Sequence, residues 1–165
     1  MKKARDFTLL FATLVFFWAW LNGSLASDVL IVGVIAAFII ALLVGNGIAI
    51  FSDLRPTPRA LGFTVLYLFF FFKELLKSNL SIALIVLSPG LPVSPGIVKV
   101  RTKLKSRMGR MLLVNSITLT PGTLTVELNG EWLYIHCVTV DSADIETATA
   151  NIVGGFEHYL EVMYG

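Results

Sequence analysis

The sequence predicts a membrane protein: an α-helical hairpin and a third apolar helix, followed by a small α/β domain with the order β-α-β-β-α. The first observation is composition, because 56% of the 165 residues are hydrophobic and only 15% are charged, whereas soluble domains average about 25% charged residues. The mean hydropathy is +0.80. The second observation is that the apolar residues are concentrated in residues 1–87. The third is that the polar remainder alternates as strands do and repeats as helices do.

The first two helices are predicted from two charge-free stretches. Residues 7–27 and 29–52 contain no Asp, Glu, Lys or Arg. About 20 apolar residues suffice for an α-helix to cross a bilayer core. We therefore expect membrane helices at about residues 7–26 and 29–51, joined by a short polar turn. Two tryptophans lie near that turn, where amphipathic rings favour the membrane–water interface.

The N-terminus also permits another interpretation. Basic residues before position 6, an apolar run and the triplet Ser24-Leu25-Ala26 resemble a secretory signal with a small-x-small cleavage site. The charge-free stretch is long for a signal, and a second apolar stretch follows at once. The sequence therefore favours a retained membrane hairpin and leaves a cleaved signal as the alternative.

The third apolar segment carries charges in its middle. Residues 60–72 contain none, and then Lys73, Glu74 and Lys77 follow before the chain becomes apolar again. These charges recur at helical spacing, which predicts a polar stripe on an apolar helix over residues 60–87. Such a helix lies in the membrane interface, or it crosses with its stripe against protein.

The distribution of basic residues predicts the topology. Basic residues before position 6 place the N-terminus in the cytoplasm, and after two crossings Arg55 and Arg59 are cytoplasmic as well. The remaining basic block, at residues 99–110, would be placed outside by a third crossing. We therefore expect a multi-pass protein of the cell (inner) membrane with two crossings and a cytoplasmic C-terminal domain. Three crossings remain the alternative.

Prolines separate the membrane region from the domain. Residues 88–95 contain Pro89, Pro92 and Pro95, which cannot continue a helix. The sequence therefore predicts a membrane region over residues 1–87, a linker over 88–95 and an α/β domain over 96–165.

The domain begins with an alternating segment. Apolar and basic residues alternate over residues 98–105, which predicts a half-buried strand with a basic face. That face is either solvated or in contact with anionic lipid or another subunit. A helix is expected from Arg107 to about Leu119, ended by Pro121-Gly122.

A hairpin and a last helix complete the domain. Asn129-Gly130 lies between two alternating runs, which is a strong hairpin signal. A helix capped by Asp141 or Ser142 should then cover the sheet together with the first one, with Gly154-Gly155 as a weak point. Its expected apolar stripe comprises Ile145, Ala148, Ile152, Phe156, Tyr159, Leu160 and Met163.

The sequence contains no arrangement of residues typical of a catalytic, cofactor or metal site. Phosphate-binding and nucleophile-elbow motifs are missing. One cysteine, Cys137, excludes an internal disulfide and a cysteine zinc site, and its strand position predicts a buried, inert thiol. His136 should lie on the opposite strand face, in a structural or interfacial role. The net charge of +2 does not suggest nucleic-acid binding.

The first two helices predict a supporting rather than a transporting role. Carriers of cations or protons usually need ionisable groups at membrane depth, and these two stretches have none. A scaffold or accessory subunit fits better.

Several motifs, in their order and spacing, resemble a known family. The chain is similar to the E subunits of the multisubunit cation/proton antiporters of the Mrp/Mnh/Pha type, over nearly its whole length. The motifs that carry the resemblance are Phe72-Lys73-Glu74-Leu75, Leu87-Ser88-Pro89, Pro95-Gly96-Ile97, the run from Asn115 to Leu124 with Thr120-Pro121-Gly122-Thr123 inside it, and Leu133-Tyr134-Ile135-His136.

The resemblance implies a place in a complex that exchanges cytoplasmic Na⁺ (or K⁺) for external H⁺ and supports sodium resistance and pH homeostasis. It implies that large subunits carry the proton relay and that this chain supports assembly. Other integral membrane subunits and lipid are the expected partners, with no cofactor, no nucleic acid and no small-molecule substrate bound by this chain alone. The candidates for assembly or docking are Thr120, Pro121, Gly122, Thr123, Lys73, Glu74 and His136.

Three other functions remain open at this point. A related membrane-bound hydrogenase assembly contains similar subunits. The chain could also be a membrane-anchored binding module, whose α/β domain recognises a soluble partner. A free-standing small channel is opposed by the uncharged helices. Thr120-Pro121-Gly122-Thr123 fits either a plain helix-to-strand turn or a docking element.

Overall fold

A computed structural model describes residues 2–44, 57–140, 142 and 144–165 of the chain. Its contacts divide the chain into two compact units, residues 1–53 and 54–165. The first unit contains the two predicted apolar helices, and the second contains an α/β domain with a three-stranded antiparallel sheet. These coarse features of the predicted fold are confirmed.

The first unit is a helical hairpin of α1, Lys2–Asn22, and α2, Ser27–Val44. The indole N–H of Trp18 donates to the carbonyl oxygen of Val29 at 2.9 Å. Gly33 lies against the same ring, and a Cβ there would approach it to 2.3 Å. The close approach of the two helices therefore requires glycine at this position.

Aromatic rings join the hairpin further from its turn. The ring of Phe38 meets those of Phe7 and Phe11 edge to face, with centroids 6.0 and 6.4 Å apart. Residues 4–22 of α1 and all of α2 are long and apolar enough to cross a bilayer. The predicted end of the second helix, residues 45–51, and Arg55 lie outside the described residues.

The second unit begins with α3, Pro58–Leu87. The Thr57 hydroxyl accepts a hydrogen bond from the Ala60 amide at 3.1 Å, and Pro58 occupies the first helical position, which suits a residue without an N–H. The prediction grouped this segment with the membrane region. Its contacts place it with the α/β domain, because its aromatic face packs on the domain core.

The sheet consists of β1, Gly96–Arg101, β2, Thr123–Asn129, and β3, Trp132–Cys137, in the order β1-β3-β2. Both pairings are antiparallel. Asn129 pairs with Trp132, so the turn residues are Gly130 and Glu131, one position later than the Asn-Gly signal predicts. Gly130 has φ +60°, the left-handed conformation that favours glycine.

The first strand is shorter than its alternating pattern. β1 ends at Arg101, and the Thr102 amide then donates to the Glu131 carbonyl, just before β3 begins. Thr102 and Leu104 are still buried, while Lys103 and Lys105 are exposed. Buried and exposed side chains therefore continue to alternate up to residue 105, although the paired strand ends at Arg101.

Helix α4, Arg107–Leu119, lies on one face of the sheet, with the Ser106 hydroxyl as its N-terminal cap. The last helical segment has three parts, which are α5, Ile145–Thr149, a π-helical turn, Ala150–Gly154, and α6, Gly155–Tyr164.

The cap and the buried face of this last segment differ from the prediction. Its cap is Asp144, whose carboxylate accepts from the Thr147 amide at 2.8 Å, and the alternative candidate Asp141 lies outside the described residues. Ile145 is 40% exposed, whereas Val153 is fully buried. Ile145 is the first residue of α5 and precedes the π turn, whereas Val153 lies within that turn, whose larger number of residues per turn brings its side chain onto the buried face.

Candidate docking sites on the second unit

The turn at Thr120-Pro121-Gly122-Thr123 ends α4 and starts β2. The Thr120 hydroxyl donates to the Ser116 carbonyl at 2.8 Å, and the Thr123 hydroxyl donates to the Ile117 carbonyl at 2.6 Å. These carbonyls belong to the last turn of the helix, where acceptors otherwise lack partners. Gly122 has φ +93°, as position three of a type II turn requires. The two threonine hydroxyls and the glycine of the turn therefore stabilise it, as the sequence predicts.

The same turn also lies against α3. A Cβ at Gly122 would stand 3.0 Å from Cδ1 of Ile82, and the Gly122 carbonyl accepts from the Val138 amide at 2.9 Å. The turn thus contacts a helix and the segment after β3. A side chain at position 122 would disturb both the backbone conformation and the contact with α3.

Lys73 and Glu74 lie on different faces of α3. Lys73 is exposed and Glu74 is half-buried. The Lys77 ammonium lies 3.8 Å from the Glu74 carboxylate, one turn along the helix. This pair follows the i,i+3 spacing expected from the sequence, and its exposure makes it worth little in stability.

His136 lies on the outer face of the sheet, between Ile97 of β1 and Leu124 of β2. Ile97 is 63% exposed and Leu124 is 50% exposed. Trp132 and Tyr134 share this face because side chains alternate along a strand. The structure therefore places His136 on an apolar surface patch. His136 belongs to β3, which pairs with β2, the strand that follows the Thr120–Thr123 turn.

Two cations cover the aromatic rings of this face. The Lys99 ammonium lies 4.1 Å from the centroid of the Trp132 ring, and the Arg101 guanidinium lies 5.7 Å from it. Arg101 also pairs with Glu131 at 2.9 Å. Cation–π contacts of this kind hold the two basic side chains against the sheet.

The contact between α3 and α6 was not predicted. The ring of Phe70 packs on Phe156 and Tyr159, with centroids 5.3 and 5.1 Å apart, and Phe63 packs on Tyr159 at 6.1 Å. Sequence analysis identified the apolar stripe of the last helix but not its partner. The i, i+7 spacing of Phe63 and Phe70 is the signal that could have revealed it.

Two buried polar contacts tie further elements together. The hydroxyl of Tyr67 on α3 is hydrogen-bonded to the hydroxyl of Ser116 on α4. The buried carboxylate of Glu157 accepts from the Thr102 hydroxyl and from the Lys103 amide, both at 2.6 Å. Burial of these polar groups is tolerated because they are hydrogen-bonded.

The described residues include no cluster of three or more His, Cys, Asp or Glu that could hold a metal ion. Cys137 is buried, as its strand position predicts.

Comparison with known proteins gives the family. Residues 11–163 match the family described as "Na+/H+ ion antiporter subunit". The chain belongs to this antiporter-subunit family.

Named relatives agree with this assignment. The chain is 34% identical over 140 residues to the E1 subunit of the Na(+)/H(+) antiporter of Staphylococcus haemolyticus, covering 81% of this chain and 82% of the relative. It is 41% identical over 87 residues to the E subunit of the Na(+)/H(+) antiporter of Alkalihalophilus pseudofirmus, covering 53% of this chain and 55% of the relative. The chain thus spans about half the length of the latter relative.

A solved structure shares the fold of the antiporter subunit. It is a chain of "the membrane-bound sulfane sulfur reductase (MBS), an archaeal respiratory membrane complex", with a TM-score of 0.83 and 32% identity. The match covers 95% of this subunit and 98% of that chain.

Proposed function

We propose that this chain is an accessory subunit of a multisubunit Na⁺ (or K⁺)/H⁺ antiporter, in which it supports assembly and antiport without conducting ions itself. The observation that carries the proposal is the family match over residues 11–163. The structure supports the division of labour, because the described part of the hairpin has no ionisable side chain between Phe7 and Ser27 or between Val29 and Val44. A proton or cation path needs such groups at membrane depth.

The proposed topology has a cytoplasmic N-terminus, two crossings by α1 and α2, and a cytoplasmic domain over residues 96–165 after the linker 88–95. The third helix then lies in the membrane interface. With 30 residues it is about 45 Å long, and the charges of Lys73, Glu74 and Lys77 stand near its midpoint. A crossing would place these charges deep in the bilayer, where they are costly.

The packing of α3 also supports an interfacial position. Its inner side contacts the domain from Phe63, beside Tyr159, to Ile82, beside the Thr120–Thr123 turn. A crossing helix would draw this polar domain into the hydrocarbon core. Outside the charges at Lys73 and Lys77, its outer side is mainly apolar. The large apolar residues exposed there at 64% to 78% are Leu61, Phe69, Leu76, Leu80, Val86 and Leu87. Lipid or the apolar surface of a partner subunit suits that side.

Integral membrane subunits are the proposed partners. Both helices of the hairpin also expose large side chains to their surroundings, among them Phe16, Leu21, Ile31 and Leu43. Helices in membranes associate through packing of such surfaces. This chain would therefore position neighbouring subunits that carry the proton relay.

The deciding experiment removes this chain from its complex. Deletion should lower Na⁺/H⁺ antiport in everted membrane vesicles and reduce co-purification of the large subunits in mild detergent, and re-expression should restore both. Unchanged antiport with a complete complex would contradict the proposal, as would antiport by the purified chain alone in proteoliposomes.

Topology is tested by labelling at one position. Lys103→Cys should react with a membrane-impermeant maleimide only after cells are opened, while the native Cys137 is buried and serves as the background. Labelling in intact cells would place the domain outside and favour three crossings.

A second candidate function is a subunit of a membrane-bound respiratory complex. The likeness to the chain of the sulfane sulfur reductase complex, over 95% of this chain, favours it. Proteins that co-purify with this chain separate the two candidates. Subunits with sulfane sulfur reductase activity would indicate the respiratory complex, and apolar subunits alone would indicate the antiporter.

A further inference from the structure

Basic residues are concentrated in one segment of the second unit. Six basic residues and no acidic residue lie between Lys99 and Arg110. Lys99 and Arg101 are held over the Trp132 ring on the outer face of the sheet. The others follow β1, in the segment that leads into α4 and in its first turn.

These later basic residues differ in what they contact. Arg110 donates to the carbonyls of Leu104 and Gly130, at 2.6 and 2.7 Å, so its role is partly structural. Lys103, Lys105 and Arg107 are exposed, and the described residues give none of them an ion-pair partner. Their charges are therefore open to a ligand.

Lys103, Lys105 and Arg110 line one open groove of about 1010 Å³. Its acidic lining residues are largely engaged. Glu131 pairs with Arg101, and Glu157 accepts hydrogen bonds from Thr102 and Lys103. The exposed Glu146 stands on another wall, formed by the last helical segment.

This basic group lies at the same end of the unit as the start of α3. Phe63 packs on Tyr159 and Phe70 packs on Phe156, so α6 runs antiparallel to α3. A Cβ at Gly109, near the start of α4, would stand 3.2 Å from Cβ of Tyr164, at the end of α6. Both α3 and α4 therefore begin near the end of α6.

Arg59, in the first turn of α3, adds its charge there. We define Arg59, Lys103, Lys105 and Arg107 as the basic end. In the sequence, α3 is the first element of the second unit after the apolar helix α2.

We propose that the basic end binds the phosphate headgroups of anionic phospholipids at the surface of the membrane that α1 and α2 occupy. Exposed Lys and Arg side chains beside a membrane helix are attracted to anionic lipid, each contributing about 1 kcal/mol. Charge complementarity and the covalent neighbourhood of the membrane helices favour lipid over a soluble anion. The inference goes beyond the proposed function and does not depend on which complex the subunit joins.

The test uses the full chain in a neutral detergent, titrated with phosphatidylglycerol or with phosphatidylcholine. Phosphatidylglycerol should raise the melting midpoint, and phosphatidylcholine should not. Lys103→Gln should raise the phosphatidylglycerol concentration for a half-maximal shift by about fivefold, and the double variant Lys103→Gln/Lys105→Gln by about 25-fold.

Lys99→Gln is the matched control, because it removes one charge from the same segment on the outer face of the sheet, and it should leave the response unchanged. Lys103→Arg/Lys105→Arg retains the charges and should respond as the wild type. Near-ultraviolet circular dichroism checks that each variant is folded.

Three results would overturn the inference. One is a wild-type response in the double glutamine variant, and another is an equal loss in Lys99→Gln. The third is the same shift with soluble glycerol 3-phosphate, which would make a free phosphate the ligand. Co-purification of the large subunits is measured in parallel. If the wild-type chain responds to phosphatidylglycerol but does not co-purify with the large subunits, the accessory-subunit proposal is contradicted and the lipid-binding proposal is not.

Discussion

The ring of Phe70 on α3 lies directly against the backbone of Gly155, at the start of α6. A Cβ on residue 155 would come within 2.6 Å of Cζ of Phe70. The same ring contacts Phe156 at 5.3 Å between centroids. Gly154-Gly155, which the sequence marks as a weak point of a helix, is therefore the place where a long apolar helix is joined to the α/β domain.

Gly155→Ala should lower the free energy of unfolding by about 1–3 kcal/mol, because the added methyl group forces Phe70 away from a packed position. The measurement is thermal or denaturant unfolding of the full chain in detergent. Gly62→Ala is the control, since nothing lies within 4 Å of a Cβ on that glycine of α3. It should be neutral or slightly stabilising. Equal stability of Gly155→Ala and wild type would contradict the packing argument.

The Thr120–Thr123 turn is tested by Pro121→Gly/Gly122→Ala. We expect lower antiport in vesicles, because residue 122 requires φ +93° and touches Ile82. Gly130→Ala, at φ +60° in open space, strains the backbone without touching α3 and should retain antiport. Full antiport by the double variant at normal complex levels would leave the turn a purely structural role.

Trp18→Phe should weaken the hairpin of α1 and α2 by about 0.5–1.5 kcal/mol, since it leaves the Val29 carbonyl without the indole donor. Unfolding in mixed detergent, with loss of near-ultraviolet ellipticity, reports the change. Trp20→Phe provides the comparison because the Trp20 side chain is 67% exposed. If both variants lose the same stability, the Trp18 hydrogen bond does not hold the hairpin.

Asp144 links stability to pH. Hydrogen bonds from the amide and the hydroxyl of Thr147 lower the pKa of the Asp144 carboxyl from its ordinary value of 3.8. Because the folded state has the lower pKa, this stabilisation is present above pH 3.8 and is lost as the pH falls through the folded-state pKa.

Asp144→Asn should therefore flatten the acidic limb of the melting-temperature profile, and Asp144→Ala should also lower stability at neutral pH. Glu146→Gln removes a charge from the same helix without removing the cap and should keep the acidic limb. A wild-type profile in Asp144→Asn would exclude the linkage.

Local patterns in the sequence predict much of the fold. The charge-free stretches predict the hairpin, and Asn129-Gly130 predicts the turn between β2 and β3. The alternation over residues 132–137 places Cys137 on the buried face and His136 on the other. These predictions succeed because period, turn conformation and hydropathy depend on neighbouring residues alone.

Other features depend on residues that are distant in the chain. The end of β1 at Arg101 depends on where β3 begins, and the π turn brings Val153 onto the buried face. Neither follows from a periodic pattern. The docking role proposed for Thr120–Thr123, Lys73, Glu74 and His136 remains a prediction.

Hydropathy and charge order alone predict an apolar helical hairpin and a polar α/β domain, because burying apolar residues in lipid or in a core is favourable whatever their partners. They do not determine which surface α3 packs against. The tertiary structure determines it, since Phe63, Tyr67 and Phe70 pack on complementary surfaces of α4 and α6 that lie 49 to 96 residues away in the sequence. Shape complementarity at such separations is a property of the packed chain.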